Sequence, residues 1–104
     1  MTQEELRAKL ESYDLKGATM KQLLADRDFA RDMYSIYARM GRAMNNVMDS
    51  LVYEGRKIDP TRELDDAMTE LSRAIGLEQA RYYNHAETLG CEIDERLNKM
   101  DSNN

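Results

Sequence analysis

The 104-residue sequence predicts an all-α fold. Three observations lead there. Two long runs of apolar residues recur at helical spacing, two capping-box signatures stand ahead of them, and one proline with five glycines leaves few breaks. The predicted architecture is a long antiparallel helical hairpin over about 28–54 and 60–100, capped by two short N-terminal helices over about 3–13 and 19–26. It is read as one domain over 1–104 with a disordered tail at 101–104, assembled as a homodimeric helical bundle.

Thr2 followed by Glu5 fits a capping box, in which hydroxyl and carboxylate each accept an otherwise orphaned amide. Leu6, Leu10 and Tyr13 follow at helical spacing and define the first short helix. Gly17 breaks the chain. Thr19 with Gln22 repeats the signature ahead of Met20, Leu23 and Leu24, giving a second short helix that ends near Asp26. The pair outlines a helix-turn-helix, but KQLLADRD lacks the clustered bases and groove-reading side chains of a recognition helix.

Asp28 reads as the cap of the third helix. Phe29, Met33, Ile36, Met40, Met44, Val47 and Leu51 follow it with a mean step of about 3.67 residues, the period of a straight amphipathic helix. Gly55 interrupts this run, and GRKIDP reads as a turn without a convincing strand. Asp59 as N-cap and Pro60 at the first helical position then start the last helix. Its stripe, Leu64, Met68, Leu71, Ile75, Gln79, Tyr82, Ala86, Leu89, Ile93, Leu97 and Met100, keeps a period of about 3.6 through Gly76 and Gly90. A single unbroken helix is therefore expected.

The short turn makes the two long helices antiparallel neighbours. Aligning Glu54 with Thr61 matches Leu51 with Leu64, Val47 with Met68, Met44 with Leu71, Met40 with Ile75, Met33 with Tyr82 and Phe29 with Ala86. Leu89, Ile93, Leu97 and Met100 are left over, to be covered by Leu6, Leu10, Tyr13, Leu15, Leu23 and Leu24. The apolar arc of the third helix spans about 180°, more than one neighbour buries. Tyr34, Tyr37, Gly41, Met48 and Val52 fall on its flank away from the expected seam. That flank is expected to pack on its own copy in a second chain, with Gly41 permitting close approach. On the opposite face Arg39, Arg42 and Asn46 lie one to two turns apart, a spacing that suits a phosphate or carboxylate of a ligand or partner.

Candidate chemistry is sparse. His85 is the only histidine and Cys91 the only cysteine, which leaves no two-histidine metal site, no internal disulfide and no Cys-based zinc site in one chain. His85, near the edge of the apolar stripe, reads as a structural histidine, and no serine or cysteine nucleophile has a visible base. Glu63-Leu-Asp-Asp66 and Glu92-Ile-Asp-Glu95 have the E-x-x-E/D form with which all-α nucleotide pyrophosphohydrolases hold magnesium on facing helices. Here both pairs sit on one predicted helix, about 43 Å apart by helical rise, and cannot share an ion within one subunit. No catalytic, cofactor or metal residue is assigned.

Charge is uneven. Residues 1–26 carry four basic and five acidic side chains, 27–57 six and four, and 58–104 five and eleven, which accounts for the net −5 and places −6 in the last segment. That segment repels a phosphate backbone, so direct nucleic-acid binding is disfavoured. No apolar run approaches the ~18 residues of a membrane span, the charged start does not fit a signal peptide, and a cytoplasmic location is expected. The function expected is a non-enzymatic helical interaction module, an adaptor or regulator that acts as a homodimer and binds another protein. One alternative is a small acidic inhibitor of a nucleic-acid-handling enzyme, of the kind phages make against host defence. In it Asp59, Glu63, Asp65, Asp66, Glu70, Glu92, Asp94 and Glu95 mimic phosphate charge. The other is a binder of a small anion such as a nucleotide, held by the arginines of two subunits.

Overall fold

The computed structural model describes residues 2–102. Helices α1 (Gln3–Glu11), α2 (Met20–Asp49) and α3 (Arg62–Ser102) dominate, and a small hairpin of β1 (Val52–Tyr53) and β2 (Arg56–Lys57) joins the two long ones. α2 and α3 pack against each other. The chain gathers into two compact units: one combines the residues up to Arg31 with those from Tyr83 onward, and the other is Asp32–Tyr82.

Both capping boxes form. The Glu5 amide donates to Thr2 Oγ1 at 3.2 Å and the Thr2 amide to Glu5 Oε2 at 3.4 Å. The Gln22 amide donates to Thr19 Oγ1 at 3.1 Å and the Thr19 amide to Gln22 Oε1 at 2.8 Å. α1 stops at Glu11, and no residue in it is buried. α2, however, continues through Asp26, Arg27 and Asp28, where the sequence reading ends one helix and caps another. An aspartate inside a helix costs a few tenths of a kcal/mol, whereas a break there forfeits several backbone hydrogen bonds and a second nucleation. Only a glycine or proline would have reversed that balance.

α2 ends at Asp49, five residues before the expected Glu54, as the Ser50 hydroxyl and amide both turn back to the Val47 carbonyl. The chain then pairs Val52 with Lys57 and Tyr53 with Arg56, and the Ile58 amide donates to the Leu51 carbonyl at 2.9 Å. Glu54 at φ 50° and Gly55 at φ 75° form the turn. Two consecutive left-handed residues match the twist of a two-residue β-hairpin, which is why a short ladder replaces the expected irregular turn. The cap of α3 is Thr61, not Asp59: its hydroxyl accepts the Leu64 amide at 3.3 Å and its carbonyl the Asp65 amide at 2.9 Å. α3 runs through Gly76 and Gly90 to Ser102, two residues into the segment expected as a tail. Positions 103 and 104 of that expected tail lie outside the described residues.

The core of the first unit is Leu23, Leu89 and Ile93, covered by Tyr13, Leu15, Ala18 and Met20. Leu97 and Met100, expected under the same cover, stay exposed. In Asp32–Tyr82 Met68, Ile75 and Tyr82 are buried on the α3 side of the seam, as matched in sequence, while the α2 side is rotated. The Tyr37 and Tyr82 rings stack with centroids 5.8 Å apart, and a Cβ built on Gly41 would lie 3.8 Å from Ile75 Cγ2. Tyr37 is 8% exposed, whereas Ile36, Met40 and Val47 are 39%, 42% and 56% exposed and Leu64 and Leu71 each 47%. Tyr37 and Gly41, from the flank expected to meet a second chain, thus lie in the intramolecular seam, and Ile36, Met40 and Val47 of the expected α2 stripe face outward. An aromatic pair favours offset stacking, so the contact of Tyr37 with Tyr82 sets the rotation of α2 within its broad apolar arc.

A Cβ added at Gly76 or Gly90 meets open space, and both residues lie within helix. Gly76→Ala and Gly90→Ala are each expected to stabilise the chain by about 0.4–1 kcal/mol in chemical denaturation. Gly17→Ala is expected to destabilise it, because the Asp14 carboxylate must move off the new methyl and gives up the hydrogen bond it accepts from the Gly17 amide. A loss of stability at Gly76 or Gly90 would contradict the open surroundings described here.

Candidate functional site

The densest polar constellation lies in the first unit, where residues 12–19 cross to α3 as a strap. Glu92 and Arg96 stand one turn apart on α3, with Arg96 Nε donating to Glu92 Oε1 at 3.0 Å. Lys16 Nζ donates to Glu92 Oε2 at 2.8 Å. The rest of the Arg96 guanidinium donates to strap carbonyls: Nη1 to Ala18 at 2.7 Å, Nη2 to Leu15 at 3.1 Å and to Lys16 at 3.3 Å. This is a planar donor fork closing a turn that has no helix of its own. Hydrogen bonds from Lys16 and then Arg96 hold the Glu92 carboxyl below the usual carboxylate range, and the bond to Glu92 raises Lys16. Glu92, expected on an acidic partner surface, is therefore buried and engaged within the chain. Glu95 pairs with Lys99 at 3.4 Å, while Asp94 remains exposed.

Beside this latch the Tyr13 hydroxyl donates to Asp26 Oδ2 at 2.6 Å, and its ring meets His85 edge-on at 5.0 Å. Burial, reinforced by Asp26, pushes the Tyr13 hydroxyl up to about 12. Burial pushes the His85 imidazole down, with the Asp26 charge opposing it. Tyr13, Asp14, Gly17, Ala18, Gln22 and Asp26 line an open hollow of about 280 Å³. Its polar groups already hold the turn: Asp26 accepts from Tyr13, Asp14 from the Gly17 amide and Gln22 from the Thr19 amide. Among the described residues no three histidine, cysteine, aspartate or glutamate side chains converge as metal ligands.

The remaining candidates lie mostly in Asp32–Tyr82. Tyr37 and Gly41 are drawn into the seam, Tyr34 and Met48 are half-buried, and Val52 is exposed on β1 rather than carried by α2. Arg39, Arg42 and Asn46 are exposed along α2. Asp59, Glu63, Asp65, Asp66 and Glu70 are all exposed. Cys91, in the first unit, is exposed as well. Sequence reasoning missed the strap's fastening by Lys16, Tyr13, Asp26 and Arg96. One signal for it was present: Glu92 and Arg96 form an i,i+4 ion pair along the edge of the apolar stripe of α3, next to Leu89.

The latch ties stability to pH in one direction. His85 lies below its ordinary 6.5 in the fold, so as pH falls through 6.5 the unfolded chain takes up a proton first and stability declines toward the folded value. Glu92, below its ordinary 4.5, keeps its contribution above that pH and loses it as pH falls through the folded value. The urea midpoint is thus expected to drop in two acidic stages, with His85→Gln removing the first and Glu92→Gln the second. A wild-type midpoint that holds constant from neutral pH to pH 5 would contradict the His85 environment described here.

The chain matches no family model, no curated protein and no solved structure.

Proposed function

We propose that this chain is a non-enzymatic helical interaction module, an adaptor or regulator that works as a homodimer. Unburied surface carries the reading. The chain exposes 7908 Å², whereas a folded monomer of 12.1 kDa exposes roughly 6,000 Å². Apolar side chains are part of it: Ile36, Met40, Val47, Leu64 and Leu71 are exposed where a third layer of helix would ordinarily cover them. Methionine on such a face adapts to partners of differing shape, which suits an adaptor.

A second reading rests on a separate observation. Asp59, Glu63, Asp65, Asp66 and Glu70 crowd the start of α3, all exposed and with no ion pair among the described residues. Five carboxylates presented this way suit a basic groove, including one that normally holds a phosphate backbone.

Sedimentation equilibrium at tens of micromolar protein is expected to give twice 12.1 kDa, and a monomer at 100 micromolar would overturn the homodimer reading. The two readings separate by salt. Association through the apolar face is expected to change little between low and moderate ionic strength, whereas capture of a basic partner by the acidic strip weakens steeply over that range.

A further inference from the structure

We infer that residues 2–13 form an acid-released cover: a proton on His85 frees Tyr13, and α1 swings off the Leu23, Leu89 and Ile93 core while α2 and α3 stay helical. The whole device lies in the first unit. Tyr13 is held at both ends of its side chain, by its hydroxyl on Asp26 Oδ2 at 2.6 Å and by its ring, edge-on to His85 at 5.0 Å. Through that ring the segment packs on Leu23, Leu89 and Ile93. Before it stands α1, in which no residue is buried. A helix of nine residues is marginal by itself, so α1 loses its order once Tyr13 lets go.

The opening is confined by what lies after Tyr13. Asp14 belongs to the fixed part, because its carboxylate accepts the Gly17 amide and its carbonyl the Ala18 amide. Arg96 holds the carbonyls of Leu15, Lys16 and Ala18, and Glu92 holds Lys16. None of these bonds is lost in mild acid, since Glu92 lies below its ordinary 4.5 and a guanidinium stays charged. The start of α2 is also independent of the cover, with Thr19 and Gln22 satisfying each other's amides. The hinge therefore falls between Tyr13 and Asp14, where a tie that responds to mild acid meets one that does not.

His85 is the trigger. Tyr13 faces it from the strap and the Asp26 carboxylate acts on it from α2, while Arg96 of α3 acts on Tyr13 and is paired with Glu92. Burial holds the imidazole below its ordinary 6.5, and lifting Tyr13 admits water to it. The uncovered form thus binds the proton more tightly, and acid shifts the balance toward it as pH falls through 6.5. An imidazolium also competes with the Tyr13 hydroxyl for the same carboxylate.

Amide hydrogen exchange on the full chain, corrected for its intrinsic pH dependence, reads the opening segment by segment. Protection of residues 7–12 is expected to fall severalfold between pH 7.5 and 5.5, with residues 23–30 and 86–93 unchanged. His85 is the only histidine, so its ring proton resonance is unambiguous, and its titration is expected to coincide with the fall. Tyr13→Phe keeps the ring and drops the Asp26 bond, and is expected to be less protected over residues 7–12 already at neutral pH. In His85→Gln the pH dependence is expected to vanish. Protection of residues 7–12 that stays constant over this range, that falls together with 23–30 and 86–93, or that still falls in His85→Gln would overturn the cover. So would Tyr13→Phe protection equal to wild type at neutral pH, a check that does not depend on the His85 variant folding.

Discussion

Two packed helices bury one stripe each, and this limit governs the rest of the structure. α2 carries apolar residues over about half its circumference, so a single seam with α3 leaves part of that arc uncovered wherever no third element lies over it. The seam chosen is the one that stacks Tyr37 on Tyr82 and sets Gly41 against the Ile75 side chain. Ile36, Met40 and Val47 are turned outward as a direct result. A seam through Met33, Met40 and Met44 would have buried those side chains but left two tyrosine rings and a glycine facing solvent. Aromatic rings bury more area per residue than any aliphatic side chain, so the observed rotation is the one that hides more surface.

In the first unit the same limit is met by a third element that is not a helix. The strap places Tyr13, Leu15, Ala18 and Met20 over Leu23, Leu89 and Ile93. Irregular backbone over an apolar core brings carbonyls that lack partners, and the Arg96 guanidinium supplies them. Arginine suits this role better than lysine because its donors diverge in one plane and reach several carbonyls at once. Glu92, itself buried, then balances the half-buried guanidinium and takes Lys16 as a second donor, so both carboxylate oxygens are engaged. The polar cluster is therefore explained by the covering of a small core, without any substrate.

What the sequence made legible follows from which signals are local. The capping boxes at Thr2 and Thr19 involve residues three apart, and both were readable. So was the continuity of α3, because its stripe keeps phase through Gly76 and Gly90. The break expected at Asp26–Asp28, through which α2 runs on, shows the converse: an N-cap residue permits a helix start but does not impose one. The ladder at Val52–Lys57 was obscured because Glu54 is an unusual left-handed residue, and the familiar turn signal has asparagine or aspartate in that place. The seam could not be fixed by periodicity at all. A broad apolar arc has one period but many possible directions, and a contact between residues 45 positions apart, Tyr37 with Tyr82, chooses among them. The interaction residues inherited that error, since Tyr37 and Gly41 were placed outside because the methionines were placed inside.

That exchange changes what the methionines of α2 do. Met33, Met44 and Met48 are half-buried against their own chain, where a flexible side chain fills irregular gaps beside stacked rings. Met40 is 42% exposed, on the face next to the one where Gly41 meets Ile75. An outward methionine flanked by isoleucine, alanine and valine, on a helix whose other outward positions carry Asp32, Arg39, Arg42, Asn46 and Asp49, has the composition of an interface core. One turn of α2 thus has two apolar faces with different tasks: the Tyr37 and Gly41 face fixes the hairpin, and the Met40 face is left for whatever completes the third layer.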